Sequence, residues 1–584
     1  MLEIILDNCC NLACTKNDHK VNESLTEHSK TFKQGIYKIA NIFYLAVGYG
    51  ISNVTFVDGQ DGIIVIDTGE SYEMAEKIYN DFKKIVDKPI KSIIYTHNHL
   101  DHIAGVKAFI TKEQVESGQV KIFAHRKIME GIINNASVVH HIINTRAISS
   151  FGLLLETDTF GHINVGIGPK FNVGKATFIY PTDFVDEELQ VNSCGINIIL
   201  KYAPSETDDE IFIYFPDYEL VQSADIIMGE SYPNLYSIRG THNRDAIKWY
   251  ESIDKMRRLK PKYFIPSHGR PLEGEDVIYS MLTAYRDAIQ YTHDQAVRYI
   301  NKGYTPDELV QVVSCLPDNL KQHPWLQEFY GTVKHSVKQI YHGYLGWFEG
   351  DPTFLDSIDP KTKAKNYIQA FGGRSKVLSI ACTCIDEEDY KWAAEILTYL
   401  ITWDKTDKIA RSLKSSCLKE LAYRTKNTNW RNWYLTSAKE LDETINYDQA
   451  VNHGCDSRDI INEIPVSTFL KRLCIMLNTE LTTNTHVVMQ FNIMPENFNY
   501  CLEIRYCVVE FHCNSDHVSN IDYSITISNN VIRDIFLKNI TLDYAVNNGL
   551  ITFNNNTDIN SLRKFFSYFD LETKQNPSLV LPHL

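Results

Sequence analysis

Between residues 31 and 270, short β-branched runs alternate with turns and helical stretches. Asn53–Val57, Ile63–Ile66, Ser92–Tyr95 and Ile196–Leu200 read as strands, and the apolar spacing over Met74–Ile85 predicts a helix. Mixed elements of this kind predict an α/β sandwich. Residues 1–30 read as a polar leader with little core. From 271 to 445 the texture becomes helical: Ile278, Met281, Leu282, Tyr285 and Ile289 recur at helical spacing, as do Trp392, Ala393, Ile396 and Leu397. Trp347, Trp392 and Trp430 are expected as core anchors of this all-α domain. Over 450–584 alternation returns in Leu502–Tyr506 and Tyr523–Ile527, followed by helices expected at Val531–Leu537 and Leu562–Phe569. A small α+β module is the natural reading.

Composition sharpens this picture. A chain of 584 residues is too long for one core, and 44% hydrophobic with 22% charged residues is a globular balance. The net charge, 58 − 73 = −15, argues against nucleic acid as a partner, because a phosphate-binding face needs clustered Lys and Arg. The 13 cysteines are scattered. Cys9 with Cys10 and Cys382 with Cys384 lack the paired CxxC spacing of a zinc ribbon, and the second pair reads as free thiols on one face of a strand or turn. Free thiols fit a reducing compartment. No run of 18 apolar residues predicts a spanning helix, and Met1–Asn8 lacks a basic region before its short apolar run. A cytoplasmic protein is expected.

One segment carries the chemistry. His97, His99, Asp101 and His102 follow the apolar run Ile93–Tyr95 and crowd four strong metal ligands into six positions. In an extended segment His97, His99 and Asp101 point to one side, and a turn at His102 would swing it towards a second metal position. Imidazole with carboxylate suits zinc. A two-metal site needs more donors, and strand ends are where to seek them. Glu206 follows the run Ile196–Tyr202, Asp225 ends Leu220–Ala224, and His268 follows Tyr263–Ser267. Asp67, at the end of Ile63–Ile66, is expected to accept a hydrogen bond from a ligand histidine's second N–H and so fix its tautomer.

The pattern His97-x-His99-x-Asp101-His102 resembles the signature of the metallo-β-lactamase superfamily. Further segments, Gly35–Lys38, Asn53–Val57, Asn234–Gly240, Tyr330–His335 and Tyr344–Phe348, are similar to those of the zinc-dependent alkyl sulfatases. That likeness runs from about 31 to 445, and residues 450–580 resemble more weakly the sterol-carrier-like module that closes those proteins. The resemblance implies an αββα sandwich over 31–270, a helical dimerisation domain over 271–445 and a sterol-carrier-like domain over 450–584. It also implies two zinc ions, one on His97, His99 and Glu206, the other on Asp101, His102 and His268, with Asp225 bridging. Asp101 and Asp225 are thereby candidate catalytic residues as well as ligands. In that family the bridging position is usually Glu within an Ala-Glu-Asn stretch; Asp225 is one methylene shorter. Arg239, Arg244 and His335 are implied as the sulfate clamp, and a planar guanidinium suits a tetrahedral oxyanion.

Two zincs about 3.5–4 Å apart would hold a nucleophilic water with its pKa lowered to about 7. No Gly-x-Ser-x-Gly elbow competes with that chemistry. The resemblance implies hydrolysis of alkyl sulfate esters such as dodecyl sulfate by C–O cleavage, and a homodimer formed through the helical domain. The alternatives are another hydrolase of the superfamily, acting on a thioester, lactone or phosphodiester, and a non-catalytic lipid-binding scaffold.

Overall fold

The computed structural model describes residues 3–7 and 20–583, apart from 138, 448–456, 515–517, 519, 555–556 and 572–576. Cys9 and Cys10 lie outside the described residues. Eight strands form the first sheet in chain order: β1 (Glu3–Asp7), β2 (Gly35–Ile39), β3 (Phe43–Val47), β4 (Val54–Asp58), β5 (Ile63–Ile66), β6 (Ile90–Ile94), β7 (Lys121–His125) and β8 (Asp183–Val185). The first five pair antiparallel and the last four parallel. Residues 3–7, within the expected leader, thus add an edge strand, and Leu25 of the following helix is fully buried. Six strands form the second sheet: β9 (Glu188–Ser193), β10 (Ile196–Tyr202), β11 (Ile211–Phe215), β12 (Leu220–Gln222), β13 (Tyr263–Ile265) and β14 (Leu272–Glu273).

The two sheets share an inner core built from alternate residues. Phe43, Leu45 and Val47 of the first sheet meet Ile196, Ile198 and Leu200 with Ile211, Ile213 and Phe215 of the second. This period of two follows from the pleat. On β10 the intervening Asn197 faces solvent. Strand β5 is buried at every residue, as expected for a strand covered on both faces. On the outer side of the same sheet, Phe82 of helix Tyr72–Phe82 stacks on Phe56 of β4 with ring centroids 3.9 Å apart. That helix starts two residues before the predicted Met74, because the Ser71 side chain accepts a hydrogen bond from the Met74 N–H and caps it.

The outer face of the second sheet, through Phe212, Val221 and Phe264, packs on helices Ala246–Arg257 and Glu275–Ile300. Trp249, Met281 and Tyr285 fill that layer, which completes the αββα sandwich. The same core continues to Leu309, Trp325, Val333 and Val337, so the first part of the helical region is built onto the sandwich. Helices Arg374–Asp386, Tyr390–Trp403, Lys408–Arg424 and Thr428–Leu441 hold a separate core around Val377, Ile396, Leu400 and Leu441.

Two local expectations are corrected. Cys382 and Cys384 sit on helix Arg374–Asp386, where residues two apart diverge, so Cys384 is buried and Cys382 exposed. Trp347 and Trp392 are not core anchors: they are 66% and 39% exposed. Trp347 lies just past Gly346, which ends helix Val333–Leu345, and the described residues leave it largely uncovered.

The chain divides into two compact units: Met1–Gly131 with Ile142–His453 and Asn576–Leu584, and Ile132–His141 with Gly454–Gln575. The second unit contains a five-stranded sheet of β15 (His486–Met494), β16 (Phe498–Arg505), β17 (Val508–His512), β18 (Tyr523–Ser528) and β19 (Ile551–Asn554) in the order 17-16-15-18-19. Met489, Phe491 and Ile493 pack there against Leu470, Leu562 and Phe565. Among the described residues no helix is long and apolar enough to cross a membrane.

Candidate metal centre

Five strands end at one place. Strands β5 and β6 run parallel, as do β12 and β13, and two antiparallel steps through β11 make β10 parallel to β12. The loops at their C-terminal ends carry Asp67, His97–His102, Glu206, Asp225 and His268. The extended segment stops at His99, which caps the short helix Leu100–Ile103. His97 and His99 therefore keep one direction, while Asp101 turns away from them and joins His102.

The donors fall into two groups, His97 with His99, Glu206 and Asp225, and Asp101 with His102 and His268. His99 Nδ1 is 3.0 Å from His97 Nε2 and 3.1 Å from Glu206 Oε2. His97 Nε2 is 3.8 Å from that same oxygen. In the second group His102 Nε2 is 3.2 Å from Asp101 Oδ2, and His268 Nε2 is 3.8 Å from it. Asp225 reaches both: Oδ2 lies 3.1 Å from His268 Nε2 and 3.9 Å from His97 Nε2, and Oδ1 lies 3.5 Å from His102 Nε2. A tetrahedral ion with ligands at about 2.0–2.2 Å would set its donors about 3.3–3.6 Å apart. The observed separations bracket that range. Glu206 Oε2, His102 Nε2 and Asp225 Oδ1 are also buried without a hydrogen-bond partner. Buried polar atoms left unpartnered in both groups are what bound cations would satisfy.

The neighbours fix these donors. His102 Nδ1 is 2.8 Å from Asp67 Oδ2, His97 Nδ1 is 3.0 Å from Thr96 Oγ1, and His268 Nδ1 is 2.6 Å from Ile51 O. Thr96 Oγ1 spends its own proton on Asp67 Oδ2, 3.0 Å away. The acceptors put the proton on Nδ1 and leave Nε2 of each ring facing inward. Asp67 stands at φ +58°, a conformation that Asp tolerates. The Ser52 hydroxyl donates to the Asp101 carbonyl.

Electrostatics divide the groups. Burial, helped by His102 and His99, holds His97 well below the usual histidine range. Burial also opposes charge on His102, but Asp101, Asp225 and Asp67 outweigh it and hold this ring well above that range. Asp225 is kept well below the usual carboxylate range: burial opposes its charge, and His268 and His102 outweigh the burial. The field that keeps protons on these rings would equally favour a divalent cation, with which protons compete.

Around this cluster, Arg244 is almost fully buried. Its Nη2 is 2.7 Å from Glu206 Oε1, and its Nη1 donates to Asn234 O. Arg239 is half-buried, donates to Ser237 Oγ at 3.3 Å and lies over the Phe151 ring at 5.6 Å. Arg146 grips the backbone carbonyls of Ile238 and Arg239. His335 opens helix Val333–Leu345, is pushed down to about 3 by burial, and faces Trp430 Nε1 at 3.4 Å. The seven donors therefore meet. Arg244 touches them through Glu206, and His335 contacts Trp430 and Thr332.

Three further residues frame the cluster, and the sequence assigns none of them a role. Tyr330, raised by burial, lies within electrostatic reach of Arg239, Glu206, Arg244 and Asp101. Asn98 donates to buried Asp209. Glu210 is fully buried and accepts from the backbone of Glu206 and of Asp225.

A sandwich with donors at the C-terminal strand ends defines a metallo-β-lactamase-type fold with a candidate metal site. The metallo-beta-lactamase superfamily model matches residues 47–268, the alkyl sulfatase dimerisation model 305–444 and the alkyl sulfatase C-terminal model 455–577. The chain is 40% identical over 466 residues to a linear primary-alkylsulfatase of Pseudomonas sp., covering 79% of this chain and 88% of that protein. It is 29% identical to an alkyl/aryl-sulfatase of Saccharomyces cerevisiae, over 92% of this chain and 83% of that one. The solved stereoselective inverting sec-alkylsulfatase Pisa1 from Pseudomonas sp. superposes with a TM-score of 0.88 at 25% identity, over 98% of this chain and 90% of that one. The chain belongs to the alkylsulfatase family of the metallo-β-lactamase superfamily.

Proposed function

We propose that this chain hydrolyses alkyl sulfate esters to an alcohol and inorganic sulfate, using two zinc ions. His97, His99 and Glu206 would hold one ion, Asp101, His102 and His268 the other, and Asp225 would lie between them. The observation that carries the reading is the gathering of seven donors into two adjoining groups, with three buried polar atoms unpartnered, in a chain 40% identical to a linear primary-alkylsulfatase. When bound, the ions supply Lewis-acid charge and a water activated near neutral pH.

The protein's own groups do the rest. Asp67, Thr96 and Ile51 hold the three rings with Nε2 inward, so the donors are set before any cation arrives. Arg239 and Arg244 supply fixed positive charge for the sulfate head group. Arg244 is ordered for this by Glu206 and Asn234, which occupy two of its nitrogens and leave its buried Nε without a partner. Sulfate is a weak base and leaves without a proton, so attack at carbon needs no general acid. Attack at sulfur would expel an alkoxide, which needs one. We read the reaction as C–O cleavage, the route that asks no proton of the site.

We also read the helical region as a homodimer contact. Tyr344, Leu345, Trp347, Phe354, Leu355 and Ile358 are each more than half exposed and fall within the stretch matched as a dimerisation domain. Apolar strips of this kind mark contact surfaces.

Hydrolysis of dodecyl sulfate in ¹⁸O-labelled water tests the chemistry. Label is expected in the alcohol; label in the sulfate would refute C–O cleavage. Turnover of a thioester or lactone panel without turnover of sulfate esters would instead favour a different hydrolase of the same fold.

A further inference from the structure

Outside the seven donors, one buried carboxylate touches two of the loops that carry them. Glu210 precedes β11 and has no exposed surface. Its Oε2 accepts the Glu206 backbone N–H at 3.0 Å and the Ser205 hydroxyl. Its Oε1 accepts the Asp225 backbone N–H at 2.7 Å. Glu206 and Asp225 lie on different loops, after β10 and after β12, and the strand between them is β11. The loop of Glu206 is itself closed on Glu210, since the Ala203 N–H donates to the Glu210 carbonyl at 2.9 Å. One carboxylate thus fixes both loops from beneath.

We infer that Glu210 is a positioning residue that sets the spacing of Glu206 and Asp225, and through it the affinity of the metal centre. The inference rests on the metal-binding role proposed above for those two residues. The physical reason is reach. A carboxylate presents two oxygens about 2.2 Å apart in one plane, and each serves one loop. Aspartate is one methylene shorter and cannot serve both. Glutamine keeps the length but turns an NH₂ towards one of the two N–H donors. In either variant one ligand loop loses its anchor, while Ala203–Glu210 and the surrounding sheet keep their backbone bonds. Partners one step beyond the ligands commonly change metal affinity ten- to hundred-fold.

The test is zinc affinity and stoichiometry of the full chain, measured by competition with a chromogenic chelator, for wild type, E210D and E210Q. Unfolding of each metal-free protein is followed alongside. Wild type is expected to hold two zinc ions. At least one of the two variants is expected to fold, and every folded variant to bind at least one ion ten- to hundred-fold more weakly. A folded variant that binds both ions with wild-type affinity would overturn the inference, and so would failure of both variants to fold, which would make Glu210 a folding residue. Wild type without bound zinc would instead overturn the metal-centre reading itself.

Discussion

Replacing Asp67 by Asn probes the layer behind the ligands. Asp67 takes four donors: Thr96 N–H at 2.9 Å on Oδ1, and Thr96 Oγ1 at 3.0 Å, His102 Nδ1 at 2.8 Å and Ser267 Oγ at 3.3 Å on Oδ2. Asparagine keeps the shape and tolerates the backbone at φ +58°, so the fold is expected to persist. Its amide must turn an NH₂ towards either one donor or three. The better choice sets the NH₂ against the Thr96 N–H, which costs about 1–3 kcal/mol for one buried donor left unpaired. The remaining oxygen is neutral, so His102 loses a charge-assisted bond and becomes a weaker donor to a cation. Zinc affinity is expected to fall ten- to hundred-fold, about 1.4–2.8 kcal/mol. Chelator competition on D67N and wild type measures this, with circular dichroism as the check on folding. A folded D67N that binds zinc as tightly as wild type would refute the reasoning.

Three further outcomes are expected. Arg244→Ala strips Glu206 of its buried partner and should lower unfolding free energy by about 3–5 kcal/mol in urea titration; an unchanged midpoint would contradict the ion pair. His162 is buried and pushed down to about 3 by that burial, then by Lys170 and Arg431. Below pH 6.5 the unfolded chain takes a proton that the fold refuses, so this residue's contribution is complete above 6.5 and is lost as pH falls towards 3. Between pH 7 and 5 wild type should lose about 2 kcal/mol more stability than His162→Leu, and equal losses would refute this. Placing charge on the exposed strip, as in Trp347→Glu with Leu355→Glu, should convert a dimer to monomers in sedimentation, while an unchanged mass would move the contact elsewhere.

How much could be read from the chain follows from where each signal is stored. His97 to His102 are contiguous, and so is the strand before them, so this half of the cluster is visible locally. Glu206, Asp225 and His268 are visible only as polar residues after apolar strands, and their meeting depends on β10, β12 and β13 running the same way. The separation of Asp101 from His97 and His99 depends on a four-residue helix that a period of two cannot show. Glu210 ends Thr207–Glu210, a polar stretch that reads as an ordinary surface loop, and only the fold reveals it beneath two ligand loops. Periodicity places Trp392 on a helix, but it does not say whether anything covers that face.

The central claim is tested most directly by titrating zinc into the metal-free chain while sulfate release from dodecyl sulfate is measured. Release is expected to be nil without metal and to reach its plateau at two zinc ions per chain. Sulfate release by the metal-free protein, or none at any zinc loading, would contradict it.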